Sequence, residues 1–135
     1  MERILIQSFD SARSDFQPAP INPSWIIEGT PTARALTLNR SPDGTLTSGL
    51  WDCTTGKFRW IYAADEIVHI LEGEARVSDG TRTHSLVPGQ VIYFPRGLQA
   101  EWEVPKYIRK MFVLRTMPRP QREVVWAYGT RFIFQ

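Results

Sequence analysis

The chain has 135 residues, 42% hydrophobic and 22% charged, with a formal net charge of +2. This is the size and make-up of one globular domain with a single core. The charge is too small to argue for nucleic acid, and no stretch approaches the ~20 apolar residues of a membrane span. One cysteine, Cys53, rules out an intramolecular disulfide and any paired-cysteine metal site.

In chain order, residues 3–9 are apolar-rich and read as a strand, and residues 10–24 are polar and proline-rich, a meandering arm. Ala35 to Asn39 alternates cleanly, and Ser41-Pro42-Asp43-Gly44 has turn chemistry. Leu46 to Cys53 and Lys57 to Ala63 read as a pair of strands joined through Thr54-Thr55-Gly56. Glu66 to Leu71 is apolar on both faces past its first residue apart from His69, and Glu72-Gly73 closes it. Ala75-Arg76-Val77 enters an Asp79-Gly80 hairpin turn. Arg82 to Val87, Val91 to Phe94, Gln99 to Val104 and Tyr107 to Arg115 complete the series. No segment between residues 30 and 116 carries a 3.6-residue apolar period. Many short strands with Gly, Pro and Asp turns predict an all-β fold closed as a jelly-roll barrel. The expected organisation is an N-terminal strand and arm over 1–24, a barrel over 25–116, and a C-terminal extension over 117–135. The apolar runs Val124 to Tyr128 and Phe132 to Phe134 should pack that extension on the barrel or on a partner subunit.

Charge is unevenly spread. Lys106 to Arg131 holds seven basic residues against Glu123, whereas Asp52 to Asp79 holds six acids against three bases. A solvated charged surface accounts for this; so does a basic tail facing an acidic surface of a second subunit or an anionic ligand.

Two spacings stand out: Trp60-x-Tyr62-x3-Glu66-x6-Gly73 and Gly89-x5-Pro95-x-Gly97-x2-Ala100. With Asp65-Glu66, Ile70-Leu71-Glu72-Gly73, Pro88-Gly89, Phe94-Pro95-x-Gly97 and Glu101-Trp102-Glu103-Val104, they resemble the two-part cupin signature over roughly residues 25–115. The chain is similar to small single-domain cupins of unknown function, a group related to ureidoglycine aminohydrolase and to ethanolamine-utilisation cupins. The resemblance implies a double-stranded β-helix. Cupins commonly pair through their sheets, so it also implies a homodimer.

A cupin metal centre uses three imidazoles and one carboxylate. Here the imidazole positions hold Trp60, Tyr62 and Ala100, and only Glu66 remains. Strict alternation turns His69 to the face opposite Glu66, unless a β-bulge intervenes, and His84 lies in the strand before Pro88. No metal ligand set and no cofactor are therefore expected. A barrel mouth lined by Trp60, Tyr62, Glu66 and Trp102, with Tyr93 or Arg109 adjoining, would suit a small molecule; the same aromatics could instead simply fill the barrel. Glu66 is the candidate general acid or base, or else it pairs structurally with Arg59, Arg109 or Lys110. Cys53 reads as a small buried hydrophobe.

Three functions follow as expectations. The first is metal-free binding of a polar metabolite. The others are an enzyme working through Glu66, with Tyr62 orienting the substrate, and a structural or regulatory dimer. A cytoplasmic setting is expected, with no membrane or nucleic-acid partner.

Overall fold

The structure, a computed structural model, describes residues 4–117, and beyond them the backbone of two further strands, Glu123–Ala127 and Thr130–Phe134. Among the described residues, strands dominate: β1 (Gln17–Pro18), β2 (Ile26–Glu28), β3 (Ala33–Arg40), β4 (Leu46–Ile61), β5 (Asp65–Gly73), β6 (Ala75–Ser78), β7 (Thr83–Leu86), β8 (Val91–Phe94) and β9 (Gln99–Arg115). A single 3-10 turn, Pro23–Trp25, is capped by Asn22, whose side chain accepts from the Ser24 amide. None of these elements is a helix long and apolar enough to cross a membrane.

Pairing among the described strands is antiparallel, and β1 to β9 form one nine-stranded sheet that folds over on itself. The long strands β4 and β9 run side by side from Leu46↔Arg115 to Ile61↔Gln99 and serve both halves. One half continues β1-β3-β4-β9-β5-β8; the other carries β2 on β4, and β6 then β7 on β9. This is the all-β jelly-roll barrel that the turn and strand pattern predicted.

Three sequence expectations change. Residues 46–61 form one strand, as do residues 99–115, where a pair was expected in each case. The ladder runs on through Thr54-Thr55-Gly56 instead of reversing there, and the register shift is absorbed as a bulge between Thr54↔Tyr107 and Gly56↔Val104. That bulge flips the inward phase of β4 from Trp51 and Cys53 to Phe58 and Trp60, and so lets one strand line both halves. Residues 4–9 form no strand, and among the described residues no strand pairs with them. The hairpin Glu123–Ala127 with Thr130–Phe134 pairs with itself, while the packing of its side chains lies outside the described residues.

The motif glycines have a geometric reason. Gly73 has φ +76°, and a Cβ there would sit 1.9 Å from the Tyr107 carbonyl oxygen. In the Pro95-x-Gly97 turn, the Gly97 amide donates to the Tyr62 carbonyl (2.8 Å) and the Tyr62 amide to the Leu98 carbonyl (2.9 Å). The second half of the signature thus fixes the backbone of the first.

Candidate functional site

Direct cross-strand partners share a face of the sheet, so the ladder reads out the interior layer by layer. Trp51, Lys110 and Ile70 stand in one row; Thr47, Leu114, Glu66 and Phe94 stand in another. On the other half, Phe58, Trp102 and Val77 align, as do Trp60 and Ala100. The core is therefore an aromatic box with two charges inside it.

Those charges belong to Glu66 and Lys110, 3% and 2% exposed, with Lys110 Nζ 3.4 Å from Glu66 Oε2. The ammonium also lies 4.5 Å from the ring centre of Trp51 and 4.9 Å from that of Trp102, within cation–π range. Burial pushes the Glu66 carboxyl up to about 7, against the pull of the adjacent Lys110. Burial likewise lowers the Lys110 ammonium, with Glu66 opposing. Of the three cations proposed as partners for Glu66, the structure selects Lys110. The sequence signal was its phase: in β9 it falls between the inward Ile108 and Phe112.

Around the pair the rings interlock. Tyr62 stacks on Phe94 at 4.7 Å, and Phe58 stacks on Trp102 at 6.0 Å. Trp60 meets Trp25 edge-on at 5.1 Å and Trp51 at 6.1 Å. Trp102 Nε1 donates to the Tyr62 hydroxyl at 3.2 Å. Burial raises the Tyr62 phenol well above its ordinary value, and the Glu66 charge adds to the rise.

Trp60, Tyr62, Glu66 and Trp102 are thus brought together, packed ring on ring. The other two sequence candidates stand apart. Arg109 faces outward and donates to the carbonyls of Ser11 (2.5 Å) and Arg13 (2.8 Å), clasping the N-terminal arm. Beside it, Asp52 accepts from Arg34 (2.6 Å) and from the Tyr107 hydroxyl (2.8 Å). Tyr93 is exposed on the outer face of β8, where its hydroxyl donates to Asp65 (3.1 Å). His69 also lies outward, because the β5 bulge falls at Ile70/Glu72, after it. Cys53 is buried, and that burial raises its thiol to about 12.

Open space lies next door. A cleft of about 730 Å³ runs along the seam between β7 and β8. Val77, Ile92, Phe94 and Ala100 give it an apolar floor, and Asp79, Thr83, His84, Ser85, Gln90 and Tyr93 supply polar groups. Phe94, which lines the cleft, also stacks on Tyr62 and lies 5.8 Å from Trp102. The sequence reading passed over this cleft, because its walls come from strands that are not neighbours in the sheet.

Among the described residues, no group of three His, Cys, Asp or Glu side chains gathers as a metal site. Trp60 and Ala100 offer no donor atom, and the nearest cation to Glu66 is a lysine. This donor set does not fit a transition ion, which needs several N, O or S ligands.

The EutQ-like cupin domain family matches residues 40–112. Acetate kinase EutQ of Clostridioides difficile strain 630 is 29% identical over 92 residues, which cover 68% of this chain and 55% of that protein. The chain therefore spans about half the length of this curated relative. Among solved structures, the C. difficile EutQ protein superposes with a TM-score of 0.58 at 22% identity, over 64% of this chain and 70% of that one. A putative ethanolamine utilization protein Q from Salmonella typhimurium LT2 gives 0.56 at 27% identity, over 62% and 69%. A Pseudomonas syringae pv. tomato protein of unknown function gives 0.71 at 23% identity, over 78% and 46%.

Proposed function

This chain belongs to the EutQ-like cupin family, and we propose that it works as a metal-free barrel that binds a small polar metabolite in the seam between β7 and β8. The observation that carries the reading is the Glu66–Lys110 pair. The surviving carboxylate of the signature already has a counter-charge, an ammonium 3.4 Å away inside the aromatic box. A divalent ion brought to Glu66 would meet that ammonium and find no imidazole. The cleft supplies what the filled box lacks: its volume of about 730 Å³ falls in the range of small-molecule pockets. Apolar groups would take the ligand's body, and His84, Gln90 and Ser85 its polar groups. Trp60, Tyr62 and Trp102 then serve as the rigid backing of Phe94. A cytoplasmic setting, with Cys53 reduced, belongs to the same proposal.

A second reading is favoured by one observation: a carboxyl raised to about 7 is poised for acid–base work near neutrality. It would make Glu66 the proton carrier of an enzyme. The acetate kinase name belongs to the relative, of which this chain covers 55%.

A thermal-shift screen of polar metabolites tests the first reading, together with elemental analysis after incubation with Mn, Fe, Ni and Zn salts. Expected are a stabilising metabolite whose effect is lost in Ile92→Trp and weakened in His84→Ala, and no retained metal. Stoichiometric tightly held metal, or binding indifferent to Ile92→Trp, would overturn it. Turnover of a bound metabolite abolished by Glu66→Gln would establish the second reading.

A further inference from the structure

The lysines of the chain are Lys57, Lys106 and Lys110. Lys106 is exposed and Lys57 pairs with Glu101 at the surface (3.1 Å), whereas Lys110 ends inside the aromatic box. A buried ion pair costs the fold stability where apolar side chains of similar volume would not. What the pair adds is chemistry. Burial disfavours the Lys110 ammonium and so brings the free amine within reach. The Glu66 carboxyl, pushed up to about 7 and 3.4 Å away, can take up or return a proton near neutrality. A desolvated amine beside a proton carrier is what attack by lysine on a carbonyl carbon requires.

One layer of side chains divides this amine from the open cleft. Phe94 lines the cleft, stands directly across the ladder from Glu66, and lies 5.8 Å from Trp102. Val77 lines the cleft as well and stands across from Trp102, over whose ring Lys110 Nζ lies at 4.9 Å. Phe94 is the last residue of β8, which pairs with β5 alone among the described strands. The end of a strand held on one side opens locally at lower cost than the centre of a sheet. A swing of the Phe94 ring toward the cleft would uncover Glu66 and Lys110 together. Thr47 Oγ1, buried in the row that holds Glu66 and Phe94, has no hydrogen-bond partner among the described residues and can meet an incoming oxygen.

We propose that Lys110 is a nucleophile that forms a reversible Schiff base with a small aldehyde or ketone admitted past Phe94 from the cleft. The route rests on the seam being the binding site; the reactivity of the amine does not. Glu66 first takes a proton from the ammonium. The amine lone pair then bonds to the carbonyl carbon, and the C=O π pair moves to oxygen, which takes the proton back from Glu66. The carboxylate next removes an N–H proton from the adduct and passes it to the departing hydroxyl. Water leaves, and the nitrogen lone pair closes the C=N bond. The product is a protonated imine beside a Glu66 carboxylate, the same charges in the same places as at the start. Trp51 and Trp102 face that cation as they face the ammonium, at 4.5 and 4.9 Å. A further charge would stand unbalanced among these rings, so the carbonyl compound is short and uncharged.

The test uses the full chain at neutral pH with propionaldehyde and sodium cyanoborohydride, which reduces an imine to a stable secondary amine. Modified sites are then mapped by mass spectrometry. Lys110 should be labelled at least about tenfold faster than Lys106, because an exposed ammonium is almost wholly protonated at this pH. Glyoxylate, which carries a charge, should leave Lys110 unlabelled. Phe94→Ala should raise the Lys110 rate several-fold and leave Lys57 and Lys106 as they were. Label confined to Lys57 and Lys106 would overturn the proposal, as would label at Lys110 only after Phe94→Ala. A Lys110 rate that rises with urea in step with unfolding would also overturn it, as reaction of the unfolded chain. A seam ligand found by thermal shift with Lys110 unlabelled would overturn the Schiff base and leave binding in place. Lys110 labelled at full rate in Ile92→Trp would refute the seam as the route and leave the Schiff base standing.

Discussion

Replacing Lys110 by methionine strips Glu66 of its counter-charge and leaves the rest of the aromatic box in place. At 3.4 Å, with an effective dielectric of about 20, the gross attraction of the pair is roughly 5 kcal/mol. The Glu66 carboxyl still sits at about 7 rather than 4.5, so burial outweighs that attraction by roughly 3 kcal/mol for the ionised form. The intact pair is therefore a net cost to the fold, and breaking it leaves Glu66 without its counter-charge. Lys110→Met should cost about 1–2 kcal/mol slightly above neutral pH, where Glu66 must take up a proton in the fold, and more as pH rises, a fall in Tm of roughly 3–8 °C for a domain of this size. Glu66→Met/Lys110→Met should recover most of that loss. The assay is urea unfolding followed by tryptophan fluorescence, arranged as a double-mutant cycle. The sign of the pH effect is fixed as well. With its folded value above its unfolded one, Glu66 contributes stability that is fully present below about 4.5 and lost as pH rises through about 7. Lys110, lowered from 10.5, acts oppositely on the alkaline side: the fold gains stability as pH rises from its lowered value toward 10.5. Lys110→Met removes the neighbour that holds Glu66 down, so its penalty should shrink in acid. A single variant as stable as wild type above neutral pH, or additive single effects in the cycle, would refute the reasoning.

Asp52 is 2% exposed and accepts from Arg34 and Tyr107. Asp52→Ala should cost about 1–2 kcal/mol in the same unfolding assay, because a buried carboxylate's charge-assisted bonds to Arg34 and to the half-buried Tyr107 hydroxyl are lost. Gly73→Ala meets both a positive φ and a Cβ 1.9 Å from the Tyr107 carbonyl, so a loss of about 2 kcal/mol or more, or failure to fold, is expected in expression and melting. Cys53, with its thiol pushed up to about 12, should not react with a disulfide reagent in the native protein and should react fully in guanidinium chloride.

How much of this was legible depends on how local the physics is. Gly73, Pro95 and Gly97 announced the turns, because backbone geometry there tolerates few residues. Strand alternation placed His69 outward because no bulge falls before Ile70. The choice between Arg109 and Lys110 was left open, since adjacent residues of one strand face opposite ways and phase must be read through Pro105 and the bulge opposite Gly56. Continuity of β4 and β9 was hidden for a related reason: Thr54-Thr55-Gly56 looks like a turn, yet it marks where one strand passes between the two halves. The cleft was invisible because β7 and β8, though joined by a short turn, pair with different strands. Residues 4–9 read as a strand because their side chains favour one, and among the described residues no strand pairs with them.

The cupin signature divides here into two sets with different fates. Gly73, Pro95 and Gly97 shape the backbone and cannot change without displacing it. Trp60, Tyr62 and Ala100 only face the interior, so they can change provided volume and charge are balanced. Retaining Glu66 among rings would leave a buried anion, and Lys110 is the balancing charge. The three donor-poor positions and the lysine should therefore behave as one unit. Restoring histidine at positions 60, 62 and 100 while Lys110 stays should not create a tight Zn or Ni site, because the ammonium occupies the carboxylate and repels the ion. Adding Lys110→Met should free Glu66 and produce a four-ligand site, read by metal retained after dialysis and by a metal-dependent rise in Tm. Tight metal binding by the triple variant with Lys110 intact would show that the lysine does not stand in for the ion.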